Sequence, residues 1–334
     1  MFDIITFGSA TQDIIVKPKH VTMLKYDKSP SEKEVCFPMG SKIDIEDIRF
    51  NSGGGGTNTA ATFSLQGFKT AFCGVVGSDV SGQEIINELK RFKVNTSLMQ
   101  KTDKKRTNHS VVILNNGQDR TILAYRGAAE LMDNKNIPWG KLKSEWFYLA
   151  PLSGLLCLPA GRQAKTPFED IVDFAKKNNI KIAANPSIAQ LSLPNFSDIA
   201  KKINVLLLNQ EEASFLTKTS FAEEKEIFSK LNQLHPGITV MTRGGRGVVV
   251  SDGKNMYSAL PPKDRSILDT TGAGDSFGSG FVAEFMKSAD IEASIQLGMA
   301  NSVGNLSEVG AKTGLLKKGQ EFEGVGVKKK IINT

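Results

Sequence analysis

The residues best suited to chemistry lie between Asp269 and Phe277, where the chain reads Asp-Thr-Thr-Gly-Ala-Gly-Asp-Ser-Phe. Apolar residues then recur at helical spacing as far as Met286, so the glycines are predicted to start a helix. At a helix start the first main-chain N–H groups have no intrahelical partner, and the helix dipole is positive. Small residues from Gly272 to Gly274 therefore favour close approach of a phosphate oxygen.

Asp275 follows these small residues in the first turn of the predicted helix. A carboxylate beside an anion hole suits phosphoryl transfer, because the amides stabilise the moving charge while the carboxylate accepts the proton of the attacking hydroxyl. The same string also fits a plain glycine turn with an acidic residue in the first helical turn. It is not a Walker A loop, since no lysine follows the glycines. The candidate catalytic residues are Asp275, Gly272, Ala273 and Gly274.

A second glycine-rich stretch runs from Ser52 to Asn58 and reads Ser-Gly-Gly-Gly-Gly-Thr-Asn. A helical pattern follows at once, which predicts a bare main-chain loop at a helix start and not a flexible linker. Without Cβ atoms, such a loop lets a polyhydroxylated ligand pack against the backbone. Asn58 offers a donor and an acceptor for paired sugar hydroxyls. It also suits the N-cap of the following helix.

At three further places the local sequence predicts a common structural feature. Asp13, beside a short predicted strand, reads locally as a turn carboxylate. Asn209 and Glu212 have the spacing of a helix capping box. Thr242 to Gly247 reads Thr-Arg-Gly-Gly-Arg-Gly between two predicted strands, which fits a glycine hairpin.

The string from Asp269 to Asp275 resembles the signature Asp-Thr-x-Gly-Ala-Gly-Asp of the ribokinase-like (PfkB-type) carbohydrate kinases. The stretch from Gly74 to Gly82 resembles that family's N-terminal signature, and the glycine loop at 53–58 matches its Gly-Gly-x-x-x-Asn sugar loop. The resemblance extends from about Phe2 to Gly314. Two separated motifs in the right order are specific for the family, and much less so for the substrate.

The resemblance implies a role for each matching residue, with ATP as phosphoryl donor and Asp275 as base. The residues implied in sugar binding are Asp13, Gly53, Gly54 and Asn58. Those implied at the nucleotide are Asn209, Thr242, Gly244, Gly247 and Asn301, the last of them near the adenine. For metals, the resemblance implies Glu212 at Mg²⁺ through water, and the carbonyls of Asp269 and Thr271, with the turn Glu308–Ala311, around a monovalent cation such as K⁺.

The reaction implied is ATP-dependent phosphorylation of a primary hydroxyl on a ribose- or fructose-like sugar. A nucleoside kinase of the same family is an alternative. So is a catalytically silent sugar or nucleotide sensor, although a sensor would be free to lose Asp275, Asn209 or Glu212, which are all present. A Rossmann oxidoreductase is opposed by the sequence, because no GxGxxG follows the first predicted strand, where the chain reads Gly-Ser-Ala-Thr-Gln-Asp from Gly8.

The composition is ordinary for a globular protein, with 334 residues, 40% hydrophobic and 23% charged. The three cysteines are far apart and form no CxxC, which opposes a disulfide framework or a cysteine zinc site. No basic n-region opens the chain and no apolar run is long enough to span a membrane, so a cytoplasmic protein without a membrane partner is expected. The net charge of +7 is scattered and carries no nucleic-acid motif.

From Trp146 onward, predicted strands and helices alternate, which implies a parallel sheet with helices on both faces. We therefore expect residues 1–334 to form one three-layer, doubly wound α/β domain with ligands at the carboxyl ends of its strands. A small β-sheet lid is expected from segments near 12–16, 32–50 and 107–126, the last containing an Asn-Gly hairpin. Because lid edges often pair in the resembled family, the resemblance also allows a homodimer through the lid.

Several local features are also predicted. Ser81 with Glu84 fits a capping box for one helix, and Thr166 with Glu169 fits another after an inserted segment at 155–165. The histidines are expected at the surface or in turns. The Lys- and Gly-rich tail after Gly314 is expected to be loosely held.

Overall fold

The structure is a computed structural model that describes residues 1–25, 33–114, 120–152 and 165–332. Its strands are β1 (Phe2–Phe7), β2 (Thr11–Pro18), β3 (Thr22–Lys25), β4 (Lys33–Cys36), β5 (Ile45–Gly53), β6 (Thr70–Cys73), β7 (Val75–Gly77), β8 (Gln100–Thr102), β9 (Asn108–Leu114), β10 (Arg120–Tyr125), β11 (Ser144–Leu149), β12 (Lys181–Ala184), β13 (Val205–Asn209), β14 (Ile238–Thr242), β15 (Val248–Ser251), β16 (Asn255–Ala259) and β17 (Val327–Ile331). Its α-helices are α1 (Gly55–Leu65), α2 (Val80–Arg91), α3 (Pro167–Lys177), α4 (Ile188–Leu191), α5 (Phe196–Ala200), α6 (Gln210–Thr217), α7 (Glu224–Leu234), α8 (Ala273–Ser288) and α9 (Ile291–Leu306).

The main sheet has nine strands in the order β17-β16-β15-β14-β13-β12-β11-β1-β6. The six strands from β14 to β6 in that order run parallel. The last three, β15, β16 and β17, are antiparallel additions at one edge. The carboxyl ends of the six parallel strands therefore meet along one rim of the sheet, which is where ligands bind in folds of this kind.

Helices cover both faces of this sheet, as the alternating strands and helices predicted. Neighbouring residues of β11 show the division, because side chains alternate between faces along a strand. Phe147 belongs to a core shared with Phe168 of α3 and Phe228 of α7. Tyr148 belongs to a second core shared with Phe63 of α1 and Phe281 of α8. Strands apolar on both sides are typical of a buried parallel sheet, so the predicted three-layer α/β fold is confirmed.

A second sheet of four strands, in the order β10-β9-β2-β5, stands apart from the main one. It brings together three distant segments of the chain, 11–18, 45–53 and 108–125. The expected lid segment at 32–50 joins this sheet only through β5. Its first part, β4, pairs instead with β3 in a separate two-stranded ribbon. β9 and β10 pair as antiparallel strands as the Asn-Gly signal predicts, while the turn itself lies outside the described residues.

The capping box predicted for α2 at Ser81 is wrong. Asp79 is the N-cap, and its carboxylate accepts hydrogen bonds from the main-chain N–H groups of Gly82 (2.9 Å) and Thr107 (2.8 Å). Asp79 prevails because its carboxylate also accepts a bond from the Thr107 hydroxyl, which ties the helix start to the segment before β9. The box predicted for α3 is confirmed, with Thr166 and Glu169 bonding reciprocally.

The C-terminal tail is not loose, contrary to the sequence-based expectation. Residues 327–331 form β17, which pairs with β16 at the edge of the main sheet. Lysines at 328–330 leave this outer edge strongly charged, which discourages further strands from adding. Apart from Lys165, the inserted segment at 155–165 lies outside the described residues. Within the described ranges, no helix is long and apolar enough to cross a membrane.

His235 is buried directly after the end of α7, so it is not at the surface, which is one of the two places expected for the histidines. Its Nδ1 lies 3.0 Å from the Thr239 hydroxyl and its Nε2 lies 3.1 Å from the Ile203 carbonyl oxygen. Burial lowers the pKa of this imidazole from 6.5 to about 4, because the charged form loses its hydration. The native state therefore holds a neutral His235 at neutral pH.

We expect acid to destabilise the fold through His235. Its folded-state pKa lies below its unfolded value, so its contribution is complete above pH 6.5 and is lost as the pH falls toward about 4. The loss amounts to about 3 kcal/mol. Urea unfolding at pH 7 and pH 4.5 should show a smaller pH dependence in His235→Gln than in the wild type. Equal pH dependence in both proteins would contradict this assignment.

Candidate active site

Asp275 lies in the first turn of α8, at the rim of the main sheet, and is partly buried. Its Oδ2 accepts a hydrogen bond of 2.8 Å from the side-chain amide of Asn58 in α1. On its other side, a methyl group built on Gly55 would lie 3.4 Å from the Asp275 Oδ1. The two glycine motifs, 217 residues apart between Asn58 and Asp275, therefore meet at this carboxylate.

The start of α8 is shaped for close approach. Gly272 is the N-cap with φ +83°, and an added Cβ there would lie 2.7 Å from the Ala311 Cβ. A side chain at Gly272 is thus excluded both by backbone conformation and by space. At Gly274 an added Cβ would meet no atom within 4 Å, so the first turn opens onto free space. The Ala273 N–H makes a long hydrogen bond of 3.4 Å to the Thr270 carbonyl oxygen. The open space beside this helix start fits an anionic group such as phosphate.

The glycine loop connects the second sheet to the main domain, since β5 ends at Gly53 and α1 starts at Gly55. A Cβ on Gly53 would lie 2.0 Å from the Oδ2 of Asp13, which is on β2. Gly54 has φ +99°, and a Cβ there would lie 2.4 Å from the Ser9 carbonyl oxygen. The missing side chain at Gly53 therefore allows the Asp13 carboxylate to lie against this loop, and the missing side chain at Gly54 allows Ser9 to approach it.

The alternative reading of Asn58 as an N-cap is wrong, because the N-cap of α1 is Gly54 and Asn58 lies inside the helix. Its amide nitrogen is thereby available to Asp275. Its Oδ1 is buried and has no hydrogen-bond partner among the described residues. An unpaired buried acceptor is costly, so a donor supplied by a ligand hydroxyl would satisfy it.

The motifs expected at the nucleotide lie on neighbouring strands. Asn209 ends β13 and Thr242 ends β14, and the two residues are paired in the parallel register. Asn209 and Glu212 also form the predicted capping box, with both reciprocal hydrogen bonds at 2.8 Å. Burial raises the pKa of the Glu212 carboxyl above its usual value, against the lowering effect of the bond from the Asn209 N–H.

The loop after Thr242 contains one glycine that no other residue could replace and a second whose main chain lies open. Gly247 has φ +82°, and an added Cβ would lie 2.0 Å from the Ala259 carbonyl oxygen. Gly244 has φ +55°, and an added Cβ there would meet no atom within 4 Å. The open main chain at Gly244 fits a large ligand lying on this loop.

Asn301 is not at a pocket wall, which corrects the expectation for this residue. It has no exposed surface. Its amide nitrogen donates to the Ser276 carbonyl oxygen (2.8 Å) and to the Thr62 hydroxyl (3.3 Å), and its Oδ1 accepts from the Leu316 N–H (2.9 Å). Asn301 thus joins α9 to α8, α1 and the following loop, and it has no surface with which to contact adenine.

Asp269 joins the loop before α8 to the turn after α9. Its Oδ1 accepts from the Thr271 N–H (2.8 Å), and its Oδ2 accepts from the Gly310 N–H (3.0 Å). The segments expected around a monovalent cation are therefore neighbours. Within the described part of the chain, no three His, Cys, Asp or Glu residues cluster as metal ligands.

Lys312 is a residue of the site that the sequence reasoning missed. Its side chain is 3% exposed, and its Nζ donates to the carbonyl oxygen (2.7 Å) and the hydroxyl (2.5 Å) of Ser52. Its charge also acts on Asp275. Burial raises the pKa of the Asp275 carboxyl, while the bond from Asn58 and the charge of Lys312 act to lower it. The only signal in the sequence was a single lysine directly after the turn at 308–311.

The fold and the motifs point to one class of enzyme, the α/β kinases that phosphorylate an alcohol group. The model of the family described as pfkB family carbohydrate kinase matches residues 23–318. The chain belongs to this family, and as a member it is a sugar or nucleoside kinase, a phosphotransferase with an alcohol group as acceptor. The resemblance drawn from the two signatures is confirmed.

Individual relatives agree with this assignment. Ribokinase from Haemophilus influenzae is 24% identical over 314 residues, which are 92% of this chain and 95% of the relative. Cytidine kinase from Thermococcus kodakarensis is 25% identical over 269 residues, 79% of this chain and 89% of the relative. The structure of Arabidopsis thaliana ribokinase with ribose and ATP has a TM-score of 0.73 at 20% identity, covering 94% of this chain and 95% of that one. That structure is similar in fold.

Proposed function

We propose that the protein transfers the γ-phosphoryl group of ATP to a primary hydroxyl of a ribose- or fructose-like sugar, with Asp275 as the base. The observation that carries the proposal is the hydrogen bond between Asn58 and Asp275. This bond joins the glycine loop at 53–58 to the start of α8, so a sugar held on the loop would face an anion bound at the helix start. Ribokinases among the relatives support a sugar of this class.

The proton and the bond changes follow from this placement. Asp275 takes the proton of the sugar hydroxyl as the hydroxyl oxygen attacks the γ-phosphorus, and the bond to the departing ADP breaks. Main-chain amides of Gly272, Ala273 and Gly274 stabilise the charge on the moving phosphoryl group. Burial brings the pKa of Asp275 upward, which makes it a stronger base than an exposed aspartate. Positioning of both reactants supplies most of the rate.

The residues that would hold the nucleotide are Asn209, Thr242, Gly244 and Gly247. Their support is the pairing of Asn209 with Thr242 and the open main chain at Gly244. Mg²⁺ bound to the phosphates would neutralise their charge, with Glu212 acting on its water shell. The carbonyls of Asp269 and Thr271 would face a monovalent cation such as K⁺, beside the Gly310 turn that Asp269 already holds.

A nucleoside substrate is the second candidate, favoured by the cytidine kinase among the relatives. The two substrates differ in size, because a nucleoside adds a base to the sugar. Asp13, Gly53 and Asn58 would contact the ribose in either case. The second sheet, which we propose acts as the lid, would then set the room left for a base.

We also propose that the lid pairs two copies of the chain. Its strands expose apolar side chains on one sheet, with Phe50 64% exposed and Leu123 58% exposed. Exposed apolar groups of this kind on a sheet are typical of an association surface. Light scattering after gel filtration should give a dimer mass for the wild type and a monomer mass for Phe50→Lys. A monomeric wild type would remove this proposal.

The experiment that tests the proposed reaction is a panel of sugars and nucleosides with ATP and Mg²⁺, scored by ADP release with and without K⁺. Turnover with ribose or a fructose-type sugar is the expected result. Turnover of nucleosides but of no sugar would instead identify the protein as a nucleoside kinase. Binding of a sugar without release of ADP from any mixture would instead indicate the silent sensor, and would overturn the proposed reaction.

A further inference from the structure

Lys312 connects three parts of the molecule that are distant in sequence. It lies in the loop after α9, directly behind the turn that contacts Asp269. Its Nζ donates to Ser52, the residue before Gly53 at the end of β5, and lies 3.3 Å from the Oε2 of Glu88 on α2. The Ser52 hydroxyl also donates to Glu88, so the three side chains form a closed set.

This set lies at the junction between the lid sheet and the main domain. β5 carries the chain out of the lid sheet through Ser52 into the glycine loop and α1. The bond from Lys312 to the Ser52 carbonyl oxygen fixes the main chain one residue before Gly53. A side chain that is 3% exposed cannot adjust freely, so the loop geometry depends on this buried contact.

Charged and titratable groups face this region from every side. Burial lowers the pKa of the Lys312 ammonium, while the charges of Glu88 on α2, Asp13 on β2 and Asp275 on α8 act to raise it. Glu88 also lies 3.3 Å from the Lys312 Nζ. The Tyr148 hydroxyl of β11 lies under Gly278 of α8. Burial and, to a smaller extent, the charge of Asp275 raise the pKa of this hydroxyl. Lys312 is therefore a buried amine in contact with Ser52 and Glu88, whose positive charge is further favoured by the carboxylates of Asp13 and Asp275.

We propose that Lys312 is a positioning residue for phosphoryl transfer, whose ammonium group fixes the glycine loop through Ser52 and supplies the positive charge that faces Asp13 and Asp275. This inference rests on the proposed function, because it takes Asp275 as the base. Lys312 does not contact the reactants itself. Its three N–H bonds are accounted for by the Ser52 carbonyl oxygen, the Ser52 hydroxyl and Glu88.

The charge and the contact have separate consequences. A nearby positive charge favours the ionised form of a carboxylate, which is the form that a base needs. Removing the charge of Lys312 would raise the pKa of Asp275 further, so activity would be lost at a higher pH on the acid side. Removing the contact with Ser52 would loosen the glycine loop, which weakens binding of the sugar and leaves the nucleotide loop at 242–247 unchanged.

The test compares Lys312→Met with Glu88→Gln. In Lys312→Met the acid limb of the kcat profile should move up by about one pH unit. The KM for the sugar should rise roughly tenfold, about 1.4 kcal/mol, with the KM for ATP unchanged. In Glu88→Gln the bonds from Lys312 to Ser52 remain, so the KM for the sugar should stay near the wild-type value. Glu88 helps to keep Lys312 protonated and does not itself act on Asp275, so the acid limb should not move to lower pH and should shift less than in Lys312→Met.

Calorimetry of sugar binding without ATP gives a readout that does not need turnover, and it should show weaker binding in Lys312→Met. A purely structural role would lower activity in both variants and leave the acid limb of each where the wild type has it. The inference is overturned if Lys312→Met keeps its acid limb and its sugar KM. If that variant does not fold, Ser52→Ala is measured in its place, and an unchanged sugar KM overturns the inference, because the hydroxyl shared by Lys312 and Glu88 is then gone. Failure of the proposed function is distinct, since the wild type would then turn over no sugar in the panel.

Discussion

Replacing Asp275 by asparagine should lower kcat by about 10²–10⁴-fold, or more, and leave sugar binding nearly intact. Asparagine has the shape of aspartate, and its amide oxygen can still accept the hydrogen bond that Asn58 donates at 2.8 Å. The variant loses only the ability to take the proton of the attacking hydroxyl. Steady-state kinetics with the best sugar of the panel measures kcat, and calorimetry measures binding of the same sugar.

The matched control is Glu284→Gln, which also neutralises a carboxylate of α8. Glu284 lies toward the other end of that helix, 3.7 Å from the Lys287 ammonium, in a partly exposed ion pair. Its neutralisation should leave kcat unchanged, because Glu284 lies more than two helical turns from Asp275. A nearly normal kcat for purified Asp275→Asn would remove Asp275 from the mechanism, whatever the control shows.

The start of α8 is the part of the site that sequence alone located well. Glycines followed by apolar residues at helical spacing are a local signal, and the structure begins α8 at Ala273. The meeting of Asn58 with Asp275 carries no such signal, because these residues are 217 positions apart. Only the resemblance to a family placed both in one site. Local reasoning alone named Asn58 a possible cap, while the helix starts three residues earlier, at Gly55.

Burial was the main property that the sequence could not supply. Asn301 lies in α9 and Lys312 lies after it, and both are polar. The local sequence does not indicate that either side chain is buried, or what it contacts. The fold buries Asn301 in contacts between helices and directs Lys312 to Ser52, beside the glycine loop. The tail shows the same limit, since a run of lysines reads as solvated chain until a neighbouring strand pairs with it. Long-range packing decided each of these outcomes.

Adding one methyl group at Gly53 should weaken sugar binding. In Gly53→Ala the new Cβ would lie 2.0 Å from the Asp13 Oδ2, which is far inside contact distance. Gly53 does not have a positive φ, so the backbone accepts alanine and the clash falls on Asp13. Overpacking of this kind costs about 1–3 kcal/mol, so the KM for the sugar should rise roughly 10- to 100-fold.

The same reasoning predicts which quantities stay constant in Gly53→Ala. The KM for ATP should not change, because the loop at 242–247 is built on other strands. Gly140→Ala is the control, since its added Cβ meets no atom within 4 Å and its φ is not positive. Suppose that Gly53→Ala kept the wild-type KM for the sugar. The added Cβ would then have displaced the Asp13 carboxylate without weakening sugar binding, so this carboxylate would not bind the sugar. The assignment of Asp13 to substrate binding would then be wrong, while that of Asp275 would stand.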